Sequence, residues 1–282
     1  MRQSISLLIP VFLLSLFGVA RAQDQMDKPF GEPLPRSATA SRGSASPHAY
    51  LVPDDVSFAH IAVGGVWRTS FYTINMSNNP IPYSLYFYDG AGNPLTLPVA
   101  QSDGSILRLS VWSNTIQPNG EQNFTATNTD PDLKVGQAVL VYDHSLGQIG
   151  GFSVFQEAIP GQPVYEATVP LSGSDYKFYL AYYHFDGYVS GVALANPGTT
   201  STVVSITALD NLGHIILQDS IPMGPLSHTS FVLTDRYPQL NNTRGNLYVT
   251  SSNGRLSAVG LRFSPAGAYT TIPIMNWTGM FP

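Results

Sequence analysis

The sequence predicts an all-β fold made of two tandem immunoglobulin-like β-sandwich domains. Two observations carry the prediction: short alternating or apolar runs are interrupted by turn residues about every 8 to 12 positions, and a similar set of runs recurs further along the chain. Apolar residues nowhere keep a sustained period of about 3.6, which a long amphipathic helix would require. The pattern is typical of a sandwich or a barrel.

The strand-like runs alternate apolar and polar residues or are apolar throughout. Examples are the segments 70–76 (SFYTINM), 83–88 (YSLYFY), 137–142 (QAVLVY), 203–209 (VVSITAL) and 258–263 (AVGLRF). Between such runs lie turn formers, as in Pro118-Asn119-Gly120 and Asn253-Gly254, where Gly or Asn accepts a positive φ. Each run is therefore expected to be one strand that ends at a tight turn.

Composition favours a folded chain over a disordered one. Apolar residues make up 43% and charged residues only 11% of the 282 positions, so disorder through excess charge is excluded for most of the chain. The length allows two compact units, each with its own core. We predict sandwich domains over residues 51–171 and 172–282.

The first 22 residues resemble a secretory signal peptide. Arg2 supplies a positive start, residues 7–19 form an apolar run, and Ala20-Arg21-Ala22 offers small residues for cleavage. A membrane anchor is the alternative, but the run contains Pro10 and is shorter than the roughly 20 residues that span a bilayer. Residues 23–50 are rich in Pro, Ser, Ala and Gly and are expected to form a flexible linker.

Charge and cysteine content limit the function classes. Loss of Arg2 and Arg21 with the leader would lower the formal net charge from −5 to −7, and Lys occurs at only three positions. Nucleic-acid binding needs clustered Lys and Arg, so it is not expected. The chain has no Cys, hence no disulfides and no thiolate metal sites. This suits a bacterial protein that is secreted, periplasmic or on the cell surface.

An internal repeat supports the two-domain prediction. An Asn, an Asp and a Gly recur 121 residues later, as Asn75, Asp89 and Gly92 and then Asn196, Asp210 and Gly213. Further blocks match at shorter offsets: Phe124 with Phe231 at 107, residues 151–155 with 259–263 at 108, and residues 167–171 with 270–274 at 103. Ordered blocks indicate a duplicated unit, with longer loops in the first copy between Leu95 and Thr115. Chance similarity of two β-rich stretches is the alternative.

The chain also resembles a known group of proteins over nearly all of residues 58–275, most strongly from Gly191 to Pro273. Its segment VALANPGTTSTVVSITALDNLGHII, followed by SAVGLRFSP, is similar to the paired β-sandwich domains of exported proteins from environmental bacteria, especially acidobacteria-like ones. The resemblance implies an immunoglobulin-like fold and export. It carries over no active site, because the matching motifs are strands and turns. In the first copy Met76-Ser77-Asn78 replaces the Asn-Pro-Gly turn.

Motifs with known chemistry are absent from the sequence. It contains no Gly-x-Ser-x-Gly, no His-Glu-x-x-His and no phosphate-binding Gly loop. Residues 128–132 (NTDPD) begin like a calcium loop, but Leu133 and Val139 break the twelve-residue pattern. We predict an ordinary turn there, with a looser calcium site as the alternative. No catalytic, cofactor-binding or metal-binding residue is predicted, and no cofactor.

Carboxylates offer a weaker candidate chemistry. A glycosidase needs two carboxyl groups roughly 5 to 10 Å apart, and the candidates are Glu157, Glu166, Asp186 and Asp210. Asp89 and Asp210 hold equivalent positions before a turn glycine, where an Asp side chain bonds its own backbone. A structural role is therefore favoured for these two residues.

Tyrosines near the start of the second copy are the candidate ligand-binding residues. Tyr179, Tyr182 and Tyr183 fall in an aromatic-rich run, and surface Tyr rings bind sugars or proteins well. Ordinary sheet content is the alternative, because aromatic residues fit pleated, half-buried surfaces.

These observations predict a secreted, non-enzymatic binding or structural protein, such as an adhesion or spacer protein, of the bacterial cell envelope or exterior. Its partner would be a protein or a glycan at a cell surface, with no nucleic acid and no membrane span after cleavage. The alternative is a carbohydrate-binding or carbohydrate-active protein that uses aromatic residues on a sheet face.

Overall fold

The structure is a computed structural model that describes residues 56–173 and 175–276, so the predicted leader and linker lie outside the described residues. The all-β prediction is confirmed: the described residues form antiparallel strands with one short helix, α1 (Leu233–Arg236), and two 3-10 turns (His144–Leu146 and Pro238–Leu240). We call strands β1–β10 the first half and strands β11–β19 the second half.

The strands of the first half are β1 (Val56–Val63), β2 (Trp67–Asn75), β3 (Ile81–Asp89), β4 (Leu97–Ala100), β5 (Ile106–Leu109), β6 (Val111–Ile116), β7 (Glu121–Ala126), β8 (Lys134–Tyr142), β9 (Ile149–Glu157) and β10 (Tyr165–Gly173). Those of the second half are β11 (Lys177–Tyr183), β12 (Val189–Ala195), β13 (Thr202–Asp210), β14 (Ile215–Met223), β15 (His228–Val232), β16 (Arg244–Ser251), β17 (Ser257–Phe263), β18 (Tyr269–Ile272) and β19 (Met275–Asn276).

Each half consists of two sheet layers packed face to face. In the first half one continuous ten-stranded sheet supplies both layers, because β10 pairs with β9 and with β1; we call β5-β4-β7-β2-β9-β10 the outer sheet and β1-β8-β3-β6 the inner sheet. In the second half the inner sheet is β15-β12-β17-β18 and the outer sheet is β14-β13-β16-β11-β19. Apolar side chains fill the space between the layers of each half, with Phe58, Phe71 and Leu85 in the first and Leu180, Ile206 and Leu247 in the second.

The two halves have the same strand order. The order β6-β3-β8-β1 corresponds to β14-β13-β16-β11, and β7-β2-β9-β10 corresponds to β15-β12-β17-β18. Strands β4 and β5 have no counterpart, and this hairpin occupies the extra length predicted between Leu95 and Thr115.

The registers correct one of the predicted offsets. Tyr72 pairs with Phe152, and Ala193, at offset 121 from Tyr72, pairs with Val259. Phe152 therefore corresponds to Val259 at an offset of 107, and the predicted alignment at 108 was wrong by one residue. A one-residue slip exchanges the two faces of a strand, so the correction matters for every side chain of β17.

A proline in the last strand of each half moves the chain between layers. The pairing of β10 with β9 ends at Pro170, and its pairing with β1 starts at Leu171. Pro273 likewise separates β18, which pairs with β17, from β19, which pairs with β11. Because proline has no N–H to donate to a ladder, each marks the point where the strand leaves one sheet for the other.

A buried asparagine anchors the same loop in both halves. Asn75 and Asn196 are both fully buried. The Asn75 side chain donates to the carbonyl oxygens of Asn79, Ile116 and Gln117 and accepts from the N–H of Ser77. The Asn196 side chain donates to the carbonyl oxygens of Thr200 and Gly224 and accepts from the N–H of Gly198. The repeated Asn therefore supplies hydrogen-bond partners to backbone groups that water does not reach.

The inner sheets of the two halves pack on each other. Ser57 Oγ donates to Ser257 Oγ at 2.8 Å across the contact. Gln137 Nε2 donates to the carbonyl oxygens of Asn196 and Ser227, at 2.9 and 3.1 Å. A small apolar cluster of Tyr88, Val139 and Leu226 lies beside these bonds. Strands β1 and β12 are consequently buried on both faces, and the molecule is a stack of four sheet layers.

Two histidines meet inside this contact. His60 Nδ1 lies 3.1 Å from His228 Nε2, and both side chains are buried. Burial lowers the pKa of His60 to about 4. Burial, and then the neighbouring His60, lower the pKa of His228 well below its ordinary value. Both rings are therefore neutral near pH 7, and one donates its N–H to the other.

No helix of residues 56–173 and 175–276 is long and apolar enough to cross a membrane.

The histidine pair predicts a loss of stability in mild acid. Between about pH 6.5 and 4 the unfolded chain binds protons at His60 and His228 that the folded chain does not bind. The free energy of unfolding should therefore fall with pH by up to about 1.4 kcal/mol per pH unit for each histidine. Urea unfolding at pH 7, 6, 5 and 4.5 measures this slope.

The matched control is the double variant His60→Gln/His228→Gln, which keeps neutral hydrogen-bonding groups in the contact. Its unfolding free energy should depend less on pH over the same range. Equal slopes for the two proteins would contradict the assignment to this pair.

The asparagine anchors predict a second stability effect. Asn75→Ala and Asn196→Ala should each lower the free energy of unfolding by about 2 to 4 kcal/mol, because each leaves buried backbone groups without partners. Chemical denaturation measures the change. Asn253→Ala, at an exposed position, is the control and should stay within about 0.5 kcal/mol of the parent.

Candidate ligand-binding site

A pair of tyrosines occupies the middle of the second half's outer face. Tyr179 on β11 pairs with Tyr248 on β16; their ring centroids are 4.9 Å apart and the ring planes are inclined by 32°. The row continues through Thr207 on β13 to Gln218 on β14, which donates to the Thr207 hydroxyl. Both rings are partly exposed. The face therefore offers apolar ring surface within a polar row.

The first half has small residues at the positions that correspond to this pair. Gly136 pairs with Asp89, and Gly245 pairs with Asp210, which fixes the correspondence of β8 with β16. Counted from these glycines, Val139 corresponds to Tyr248.

The partner across the ladder follows from the same registers. Val139 pairs with Ser57, just as Tyr248 pairs with Tyr179. Ser57 and Val139 are buried between the halves. The sheet thus forms without tyrosines at these positions, and the aromatic pair occurs in the half whose face is exposed.

A cleft of about 460 Å³ lies at one end of this outer sheet. Three segments line it: the β11–β12 loop, the β13–β14 turn and the residues before β16. The lining residues are Tyr183, Phe185, Asp186, Asp210, Asn211, Asn242, Thr243 and Arg244. The cleft combines aromatic rings with amide, hydroxyl, carboxylate and guanidinium groups.

Neighbouring groups hold the Tyr183 ring in place. Its hydroxyl donates to Asp186 Oδ2 at 3.3 Å, and its ring centroid lies 5.5 Å from that of Phe185. The Arg262 guanidinium lies 4.0 Å from the centroid of Tyr188 and 5.5 Å from that of Tyr183. These contacts restrict the orientation of the Tyr183 ring.

The Asp210 carboxylate accepts hydrogen bonds from its own turn. Its Oδ1 accepts from the N–H groups of Leu212 and His214 at 2.8 and 2.9 Å, and its Oδ2 contacts His214 Nδ1. The backbone hydrogen bond from His214 is the largest cause of its lowered pKa. Asp89 accepts from two backbone N–H groups of its turn in the same way. The predicted structural role of the repeated Asp agrees with these contacts.

The three predicted tyrosines do not share one face. Tyr179 lies on the outer face and Tyr183 lines the cleft, but Tyr182 is only 3% exposed and donates its hydroxyl to the carbonyl oxygen of Leu209. Successive residues of β11 point to opposite faces of the sheet, so Tyr182 points into the core while Ala181 and Tyr183 point outward. Tyr182 is therefore not available to a ligand at the surface.

The four candidate carboxylates fall into two groups. Asp186 and Asp210 line the same cleft. Glu157 and Glu166 belong to β9 and β10 of the first half, where burial raises the pKa of Glu157 and Glu166 accepts from Gln156 Nε2. In the cleft, Asp210 keeps a lowered pKa, which does not suit a general acid.

The loop at residues 128–132 is built around an ion-pair cluster. Asp130 accepts a bidentate contact from Arg108 and a hydrogen bond from Lys134 Nζ at 2.7 Å. The hydrogen bonds from Arg108 and then Lys134 lower the pKa of Asp130. Its carboxylate is thus bonded to cationic side chains. Among the described residues, no group of three or more His, Cys, Asp or Glu side chains could hold a metal ion.

Sequence reasoning missed Tyr248 and the two arginines, Arg244 and Arg262. Tyr248 is distant from Tyr179 in the chain and becomes its neighbour only through strand pairing. Gly136 and Gly245 were a usable signal, because a Cβ on either would lie about 1.9 Å from a backbone oxygen of the paired strand. Aligning these glycines would have matched Tyr248 with Val139, whereas the place of Tyr248 beside Tyr179 follows only from the pairing of β16 with β11.

Comparisons of the chain with protein-family models, with curated proteins and with solved structures find no match.

The contacts of the two cleft carboxylates predict different effects on stability. Asp210→Ala should lower the melting temperature, because the turn loses the acceptor for two backbone N–H groups. Asp186→Asn should leave it unchanged, because Asn tolerates the positive φ of position 186. Thermal unfolding followed by circular dichroism measures both. An unchanged melting temperature for Asp210→Ala would contradict the structural role.

Proposed function

We propose that this chain is an exported, non-enzymatic protein of the cell exterior that binds a neutral glycan on the outer face and in the cleft of its second half. The observation that carries the proposal is the Tyr179–Tyr248 pair, which stands where the first half has Ser57 and Val139. Export is supported by the leader-like sequence at residues 1–22.

The architecture we propose is two immunoglobulin-like sandwiches that arose by duplication. The shared strand order and the matching Asn and Asp anchors support duplication. In the second half, pairing of the second with the fifth strand (β12, β15) and of the third with the sixth (β13, β16) is also found in immunoglobulin domains. The first and seventh strands lie in exchanged sheets compared with that fold.

The chemistry of the site favours a sugar. A pyranose ring has an apolar C–H face, which packs on an aromatic ring, and a rim of hydroxyls, which donate to and accept from planar polar side chains. Tyr183 supplies the ring surface, and Asn242, Thr243 and Arg244 supply polar groups at the rim. Asp186 and Asp210 would repel a polyanion, so a neutral glycan fits better than an acidic one.

Binding without catalysis is supported by the state of the cleft carboxylates. A glycosidase requires one carboxyl with a raised pKa to protonate the leaving group. The Asp210 carboxylate accepts hydrogen bonds that favour its ionised form, and the Tyr183 hydroxyl donates to Asp186. The geometry thus favours recognition of the ligand over hydrolysis.

A spacer role is the second candidate, and it has its own supporting observation. The buried contact between the inner sheets, with His60, Gln137 and Ser57 inside it, would keep the halves in a fixed arrangement. A spacer needs such rigidity but no ligand, so a binding experiment separates the two candidates.

The test is affinity electrophoresis of the protein lacking residues 1–22, in gels cast with laminarin, xylan or galactomannan. We expect at least one polysaccharide to retard the protein. Tyr183→Ala and Tyr179→Ala should each weaken the binding about tenfold, the cost of one lost aromatic contact.

Tyr176→Ala is the matched control, because Tyr176 is exposed but does not line the cleft. It should migrate like the parent protein in every gel. Parent and Tyr183→Ala proteins with equal mobility in all three gels would overturn glycan binding at the cleft and favour the spacer role.

A further inference from the structure

We infer that the outer face of the first half carries a second, separate site for a neutral polysaccharide, so that one molecule bridges two glycan chains. The candidate site lies on strands β2, β7, β9 and β10, in the sheet layer at the other end of the stack from the Tyr179–Tyr248 pair.

An aromatic pair also stands at the centre of this face. Tyr72 on β2 pairs with Phe152 on β9; their ring centroids are 4.8 Å apart and the planes are inclined by 17°. Phe152 is 36% exposed. The corresponding pair in the second half is Ala193 and Val259, both buried against the first half.

Both exposed faces therefore follow one rule. Each has a cross-strand aromatic pair where its buried counterpart in the other half has small or aliphatic residues. The exposed aromatic pair belongs to the first half in one comparison and to the second half in the other. The aromatic pairs consequently follow exposure, and the fold itself does not require them.

A polar groove of about 320 Å³ adjoins the first-half pair. Arg68 Nε donates to Gln156 Oε1 at 2.6 Å, and Gln156 Nε2 donates to Glu166 Oε2 at 2.5 Å. The hydroxyls of Ser70 and Thr125 are 2.8 Å apart. These hydrogen bonds orient the guanidinium, amide and carboxylate groups of Arg68, Gln156 and Glu166. The two hydroxyls add further donors and acceptors for the hydroxyl groups of a sugar.

The charge of the groove selects the class of ligand. Arg68 and Glu166 are the two charged groups of its lining, and they are opposite in sign. An anionic chain would meet Glu166 and a cationic one would meet Arg68, whereas a neutral hydroxylated chain can bond to both. Arg and aromatic residues are enriched at protein–protein interfaces and Glu is depleted there, so Glu166 is the residue of this lining that favours a polysaccharide over a protein partner.

The four-layer stack places the two faces at opposite ends. The layers follow one another as first outer, first inner, second inner and second outer sheet, and the buried contact lies between the inner pair. One glycan chain cannot lie on both faces without passing around the stack. With the second site, one molecule can bind two separate glycan chains and can bind a surface that carries many glycan chains with greater avidity.

The test uses variants that exchange residues between corresponding positions, so each new residue is one the fold already accepts. The first-face variant is Tyr72→Ala/Phe152→Val, and the second-face variant is Tyr179→Ser/Tyr248→Val. A third protein combines both changes. All three, with the parent, are run in laminarin, xylan and galactomannan gels and are mixed with beads coated with the same polysaccharides. Thermal unfolding checks that each variant is folded.

The expected result is that the second-face variant is still retarded by at least one polysaccharide and that the combined variant loses this retardation, with an affinity at least tenfold lower. Only the parent should clump the beads. The inference is overturned if the first-face variant clumps beads as the parent does, if the second-face variant migrates freely in all three gels, or if no polysaccharide retards the parent. A second-face variant that matches the parent while the first-face variant loses binding would overturn the proposed function and leave this site standing.

Discussion

The packing of the two inner sheets is the constraint on which the rest of the structure depends. It buries strands β1 and β12 on both faces, so apart from Phe58 and His60 on β1 their side chains are small or aliphatic, and polar groups enclosed there need hydrogen-bond partners. The Ser57–Ser257 and His60–His228 contacts and the Gln137 amide nitrogen meet that need, whereas Gln137 Oε1 is buried without a hydrogen-bond partner. The same packing leaves one face of each half exposed, and those two faces are where a ligand has access.

The shared strand order of the two halves makes the effect of this constraint visible, because corresponding positions experience opposite environments. The position held by Val139 inside the contact is held by Tyr248 outside it, and the position held by Phe152 outside is held by Val259 inside. Residues that the fold needs are the same in both copies, as with Asn75 and Asn196. Residues that differ between the halves, as at these positions, follow the exposure of the face on which they lie. The functional proposals depend on that difference and on the polar groups beside each aromatic pair.

Much of the local structure was predictable from the sequence, and most of the tertiary arrangement was not. Alternation and turn residues predicted the strands, and the repeated Asp predicted a turn that bonds its own side chain, as Asp210 does. Tyr182 was misplaced because adjacent strand residues face opposite sides, and the run alone does not tell which side is the core. The predicted offset of 108 was wrong because Phe155 was matched with Phe263 by residue type alone, before the strand pairing was known. Tyr248 and Arg262 reach the site through pairings between distant segments, which periodicity does not encode.

The crossing of β10 and β19 between layers has a consequence for the order in which the chain folds. Val56, in the first strand, pairs with Leu140 and with Gly173, and Phe178 pairs with Val249 and with Asn276. Each half thus joins its beginning to its end, and neither can close before its last strand is available. Such long-range closure is slow compared with the folding of local hairpins. During synthesis, which starts at the amino terminus, the first half would fold as one event and the second half as a later one. The folded first half would then provide the surface on which β12 and β17 pack.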